Sequence, residues 1–239
     1  MQIKRMIEEY LQRKTYKKHE HADYLNWLTY ANAGMLDRGN LYCFEYAIKN
    51  LPSNNPIIEI GSFCGLSTNI ISFYLEKFNK NNKLITSDKW IFEGGENENA
   101  LLSGSNMLHK DYKEFVKETF KRNVSFFSKN KLPYTIEVFS DEFFELWQNK
   151  AVVQDVFGRT ITLGGPISFS FIDGNHSYEF AKRDFENSDR WLEKGGFILF
   201  DDSGDFSSWE VKKVIQEIRQ SGRYEIVARN PNYLVKKIA

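Results

Sequence analysis

The chain has 239 residues, room for one α/β domain with insertions. Its 32 basic and 32 acidic side chains cancel, so no basic field points to nucleic acid and no polybasic stretch to anionic lipid. Apolar residues make up 41%, enough for a packed core, and no run approaches the ~20 apolar residues of a membrane span. The only cysteines are Cys43 and Cys64, so there is no disulfide framework. With an amphipathic start, MQIKRMIEEYLQRK, that lacks a signal peptide's apolar core, this points to a reducing cytoplasm.

Residues 1–50 read as a helical extension. Ile3, Ile7, Tyr10 and Leu11 lie at helical spacing, and two further helices are expected over 21–33 and 41–51, separated by the turn MLDRGN. An amphipathic first helix is a common dimer element, so a homodimer is an expectation. Pro52 and Pro56 bracket the entry to the first strand, and residues 51–239 read as one Rossmann-like domain.

The segment IIEIGSFCG (57–65) is the most informative in the chain. An apolar run carrying Glu59 meets a turn with Gly61 and Gly65, and a helix is expected from Leu66 to Phe78. A strand, a glycine turn and a helix N-terminus bring backbone amides close to a nucleotide-like ligand. Residue 63 is Phe, so the spacing is not that of the dinucleotide fingerprint. The same turn would also serve as a plain connection in any α/β protein.

Strands and helices then alternate. Strands are expected at 83–87, 134–139, 167–172 and 197–201, and a closing hairpin at 224–228 and 233–238 around Asn230-Pro231-Asn232. Asp141 and Ser177 are candidate N-caps, and Ser207 with Glu210 a candidate capping box. The helix after Ser177 buries Ala181, Phe185, Ser188 and Leu192, and the last helix buries Val211, Val214, Ile215 and Ile218. The fold class is α/β: a doubly wound, mostly parallel seven-stranded sheet ending in an antiparallel hairpin. Two insertions interrupt it. Residues 89–131 hold a Gly/Asn-rich loop and a helix from Asp111 with Glu114 completing a capping box; residues 150–166 are glycine-rich. Such loops are usually lids or mobile tips.

Acids cluster at strand ends. Asp88 ends the second strand, where a carboxylate can accept ribose hydroxyls or simply hold a turn. Asp173 and Asp201 end two strands on the carboxyl edge of the sheet, and Asp202 adjoins Asp201. Three neighbouring carboxylates repel one another unless protons or a cation compensate, and a hard divalent ion such as Mg²⁺ would do so. Asn175 would add an amide oxygen. The bland account is that these acids cap turns. His176, in FIDGNHSYE, is a candidate general base, metal ligand or loop-holding residue.

The glycine turn, Asp88, FIDGNHSYE and GGFILFDD together resemble the class I S-adenosylmethionine-dependent methyltransferases, and among them the metal-dependent small-molecule and sugar O-methyltransferases. The similarity runs over roughly residues 55–239. It implies that Glu59, Gly61, Ser62, Gly65, Ser67, Asp88, Ser140 and Asp141 bind S-adenosylmethionine. It also implies that Asp173, Asp201 and Asp202 hold Mg²⁺, and that His176 and Asp173 are catalytic. The implied partner is a small-molecule or sugar hydroxyl. The first 50 residues and the two insertions fall outside the resemblance; from the residues themselves, the N-terminal helices and the 89–110 loop are expected to close over the acceptor, and the polar and aromatic groups of the insertions (Trp90, Phe92, Asn97, Asn99, Tyr112) suit a sugar hydroxyl. Two alternatives stay open: a methyltransferase without metal, and a non-catalytic adenosyl-ligand-binding protein of the same fold.

Overall fold

The computed structural model describes residues 23–92 and 94–239. The helix expected around Ile3–Leu11, and with it the dimer element, lies outside these residues. The chain begins with helices α1 (Asp23–Ala31) and α2 (Asn40–Lys49). Strand β1 (Ile57–Ile60), helix α3 (Leu66–Lys77) and strand β2 (Leu84–Ser87) follow. Next come α4 (His109–Phe127), a short 3₁₀ turn (Lys129–Lys131), β3 (Tyr134–Ile136) and α5 (Ser140–Gln148). The second half holds β4 (Val152–Gln154), β5 (Thr160–Thr162), β6 (Ile167–Ile172), α6 (Tyr178–Trp191), β7 (Leu192–Phe200), α7 (Val211–Ser221), β8 (Tyr224–Arg229) and β9 (Tyr233–Lys237).

Seven strands form one sheet in the order β3-β2-β1-β6-β7-β9-β8. All neighbours are parallel except the last two pairs, where β9 runs antiparallel to β7 and β8. This is the expected fold class. Side chains alternate across the sheet with the period of two that a pleated strand imposes. Ile58, Ile60, Ile85, Ile172, Ile198 and Phe200 face a core completed by α5, α6 and α7. Ile57, Leu84, Phe169, Phe171, Phe197 and Leu199 face the opposite core, completed by α1, α2 and α3. The chain order reverses between β1 and β6, and the ends of these two strands face the crevice in which open α/β sheets bind ligands.

Several boundaries differ from the sequence expectation. Strand β3 stops at Ile136 because Val138 turns its N–H back onto the Ile136 carbonyl. Strand β7 starts early, at Leu192, which pairs with Ile167 across a register shift. None of the expected side-chain caps forms. α4 begins at His109, before Asp111, and α5 begins at Ser140 with Phe139 as its cap residue; neither has a capping side-chain bond. Ser177 is the cap residue of α6, also without a side-chain bond. Glu210 precedes α7 and its carboxylate instead accepts the Tyr178 N–H, while Ser207 Oγ accepts the Trp209 N–H.

The second insertion is an antiparallel β4–β5 hairpin, not a loose tip. Arg159 pins it, pairing with buried Asp155, donating to the carbonyls of Leu132 and Pro133, and lying over the Tyr134 ring. Among the described residues no helix is long and apolar enough to cross a membrane.

Candidate active site at the carboxyl edge of the sheet

Gly61 and Gly65 both adopt left-handed backbone, with φ of 82° and 88°. Phe63 between them is also left-handed, at 44°. A β-carbon on Gly61 would lie 2.0 Å from the Asp173 carbonyl oxygen, so only glycine lets β1's end approach the end of β6. Gly65 opens α3 and faces Val124 and Phe120 of α4.

Asp88 braces this turn. Its Oδ2 accepts the backbone N–H groups of Ser62 at 2.7 Å and Phe63 at 2.9 Å, and the Ser62 hydroxyl at 3.3 Å. Its Oδ1 accepts the Trp90 N–H at 2.6 Å. Burial pushes the carboxyl upward and these donors pull it back. Oδ1 keeps a lone pair, so one oxygen remains fit for a ribose hydroxyl while the other serves the turn.

Glu59 is fully buried, because the alternation of β1 aims it at the face covered by α3. Its two oxygens accept the hydroxyls of Ser67 at 2.5 Å and Thr68 at 2.6 Å. Burial raises its carboxyl to about 7. Glu59 and Ser67, expected to touch cofactor, bond each other and lock β1 to α3.

Ser140 and Asp141 open α5 and face α6. Ser140 bonds Asp184. Asp141 pairs with Arg183 at 3.3 Å and accepts from Asn187. Asp184, not singled out from sequence, is buried with Oδ1 unpartnered, and burial raises its carboxyl to about 7. It lies against Gly174, where a β-carbon would sit 3.2 Å from its Oδ2.

Beyond β6 and β7 the acids converge. The side chains of Asp173 and Asp201 lie close enough to interact directly. Desolvation, then the charge of Glu59, holds Asp173 well above the usual carboxylate range; desolvation, then Asp173, does the same to Asp201. Asp202 takes left-handed φ of 50° and turns toward His176. His176 Nε2 stands 3.4 Å from Asp173 Oδ1 and 3.5 Å from Asp202 Oδ2. The half-exposed Trp209 ring lies 5.0 Å from the His176 ring, centre to centre.

Among the described residues no three His, Cys, Asp or Glu side chains are gathered as a metal cage. The expected ligand set is thus not pre-assembled among the described residues. Asn175 Oδ1 accepts the Ser177 N–H at 2.9 Å. The donor chemistry nevertheless suits a hard divalent cation: three carboxylates with no lysine or arginine paired to them among the described residues.

The expected aromatic edge of the acceptor pocket is partly core. Trp90 is 1% exposed, packs on Phe120 and donates its indole N–H to the Phe63 carbonyl. Phe92 meets the Phe63 ring edge to face and lies tilted against Tyr112.

The family model "Methyltransferase domain" matches residues 58–203, the stretch that holds the glycine turn and all three strand-end acids. The chain therefore belongs to this methyltransferase-domain family. It resembles the O-methyltransferase from Bacillus cereus in complex with SAH, with TM-score 0.56, 12% identity and coverage of 98% of this chain and 97% of that one. It also resembles TomG from Streptomyces achromogenes, an O-methyltransferase in complex with SAM, with TM-score 0.53, 11% identity and coverage of 98% and 96%. CalS11, a TDP-rhamnose 3'-O-methyltransferase, aligns with TM-score 0.52, 15% identity and coverage of 92% and 96%. At these identities the likeness is one of fold. A curated relative, uncharacterized protein R132 of Acanthamoeba polyphaga mimivirus, is 35% identical over 88 residues, covering 32% of this chain and 39% of that protein. The chain thus spans well under half of that relative.

Proposed function

We propose that the protein transfers a methyl group from S-adenosylmethionine to a hydroxyl of a small molecule or sugar, aided by a divalent cation on Asp173, Asp201 and Asp202. One observation carries this reading. The His176 nitrogen stands within 3.5 Å of two strand-end acids, and the backbone of one of them touches the glycine turn. The candidate base, the candidate cation ligands and the glycine turn of this reading are therefore neighbours. That CalS11 is a TDP-rhamnose methyltransferase supports a sugar as acceptor.

In this mechanism Gly61, Ser62 and Gly65 present the turn to the cofactor and Asp88 takes a ribose hydroxyl on Oδ1. S-adenosylmethionine, when bound, supplies an electrophilic methyl, and the O–C bond forms as the S–C bond breaks. A divalent cation, when bound, lowers the pKa of the acceptor hydroxyl it touches. His176 Nε2 takes the acceptor's proton, and Asp173 and Asp202 steady the resulting imidazolium. Placing acceptor and methyl donor in one crevice supplies the proximity term.

The second reading, methyl transfer without metal, is favoured by the amides of Asn40 and Asn232, which satisfy Asp201 Oδ1 without a cation. Methyl transfer from labelled S-adenosylmethionine to hydroxylated acceptors, with and without EDTA, decides. Loss in EDTA with recovery in Mg²⁺ supports the first reading; undiminished transfer selects the second.

A further inference from the structure

Asp201 is held by residues that lie outside every motif of the fold. Its Oδ1 accepts the side-chain amides of Asn40 and Asn232, each at 2.5 Å. Asn40 is the first residue of α2 and Asn232 lies in the turn between β8 and β9. Both are buried, at 0% and 3% exposure. They are also tied to each other, Asn232 Nδ2 donating to Asn40 Oδ1 at 3.1 Å. Asn232 Oδ1 accepts the Ser203 N–H at 3.0 Å and the Gly204 N–H at 3.3 Å, which fixes the loop just past Asp202.

The two chain segments are pressed together around this bond. A β-carbon on Gly39 would lie 1.6 Å from the Asn230 carbonyl oxygen, and Asn230 Nδ2 donates to the Gly39 carbonyl at 3.2 Å. Sheet end, N-terminal helix and C-terminal turn therefore meet at one carboxylate oxygen.

The choice of partner matters chemically. Two amide donors on one oxygen fix the carboxylate's rotation and leave its other oxygen unclaimed by them. Being neutral, they orient the acid without cancelling its charge, whereas lysine or arginine would neutralise it and compete with a cation.

We propose that Asn40 and Asn232 are positioning residues that orient Asp201 for a divalent cation shared with Asp173 and Asp202. This rests on the metal reading above. It makes the N-terminal helix and the C-terminal hairpin turn working parts of the site.

The test is calorimetric titration of Mn²⁺ into wild-type protein and into the Asn40→Ala and Asn232→Ala variants. S-adenosylhomocysteine binding and thermal unfolding are measured on the same samples. Asn82→Ala is the control: Asn82 is a buried asparagine that serves Ser53, Asn55 and Ser168 at the other end of the sheet. The expected result is roughly 10- to 100-fold weaker Mn²⁺ binding in both site variants. S-adenosylhomocysteine affinity should be retained, and Mn²⁺ affinity in Asn82→Ala should be unchanged despite lowered stability. Wild-type Mn²⁺ affinity in Asn40→Ala and Asn232→Ala would overturn the inference and leave the metal reading standing. Equal weakening in Asn82→Ala would reduce the effect to general stability and overturn it as well. Wild-type protein that binds no Mn²⁺ would remove the metal reading and this inference together. If an alanine variant fails to fold, Asn40→Leu fills the space while removing the donor, and the same weakening is expected of it.

Discussion

Gly61 lies so close to Asp173 that a β-carbon on the glycine would be 2.0 Å from the aspartate's carbonyl oxygen. The glycine turn and Asp173 are thereby packed directly against each other. Gly61→Ala must move one strand end or the other, and it adds a side chain at φ of 82°. S-adenosylhomocysteine affinity is expected to fall at least roughly tenfold, with ~1–3 kcal/mol of lost stability. Calorimetry and denaturant unfolding read the two effects.

His176→Ala should lower kcat by roughly 10²–10⁴ while leaving S-adenosylhomocysteine binding intact. Its ring touches acids and Trp209, with no recorded contact to the glycine turn. Raising the pH should recover part of the variant's rate, because more of the acceptor is then already deprotonated. A rate equal to wild type would remove the base from the mechanism.

Trp209 covers one side of His176 and is 42% exposed, with Phe206 equally exposed on the same loop. An exposed aromatic face beside the base suits the apolar side of a ring-shaped acceptor. Trp209→Ala is expected to raise the acceptor's KM roughly tenfold, Trp209→Phe less, with cofactor binding unchanged. Steady-state kinetics with the acceptor varied separate KM from kcat.

Asp184 carries a pH signature. Its carboxyl is raised to about 7 in the folded protein, chiefly by burial, from an ordinary value of 3.8. Between those limits the folded state binds more protons than the unfolded state. Its contribution to stability is therefore complete below about pH 4, falls as pH rises toward 7 and is lost above that. Glu59 acts in the same direction. Asp184→Asn should flatten the decline between about pH 4 and pH 7 by roughly 2–4 kcal/mol in denaturant unfolding across that range.

The sheet was legible because both its faces are buried, which writes strands as short apolar runs ending in acids, as in Ile57–Ile60 and Ile167–Ile172. Helix starts were less legible, since Asp141 and Glu210 found tertiary partners in Arg183 and Tyr178 in preference to their own helix ends. Asp184 left a readable signal: it falls on the stripe of Ala181 and Ser188, and an acid there must be buried. Asn40 and Asn232 left none. They are 192 residues apart, each in a segment that reads as an ordinary turn, and only the closed sheet brings them to Asp201. Glu59 is a motif position whose buried carboxylate is also bound by Ser67 and Thr68, contacts that the motif itself does not reveal.

The most direct measurement is calorimetric titration of S-adenosylhomocysteine into wild-type protein and Asp173→Ala side by side, with Mg²⁺ present. The account predicts binding at one site per chain in both, with affinities in the micromolar range, because the side chain of Asp173 serves the cation and the acceptor while its backbone supports the turn. Absence of binding in the wild type, or its loss in Asp173→Ala alone, would contradict that division of labour.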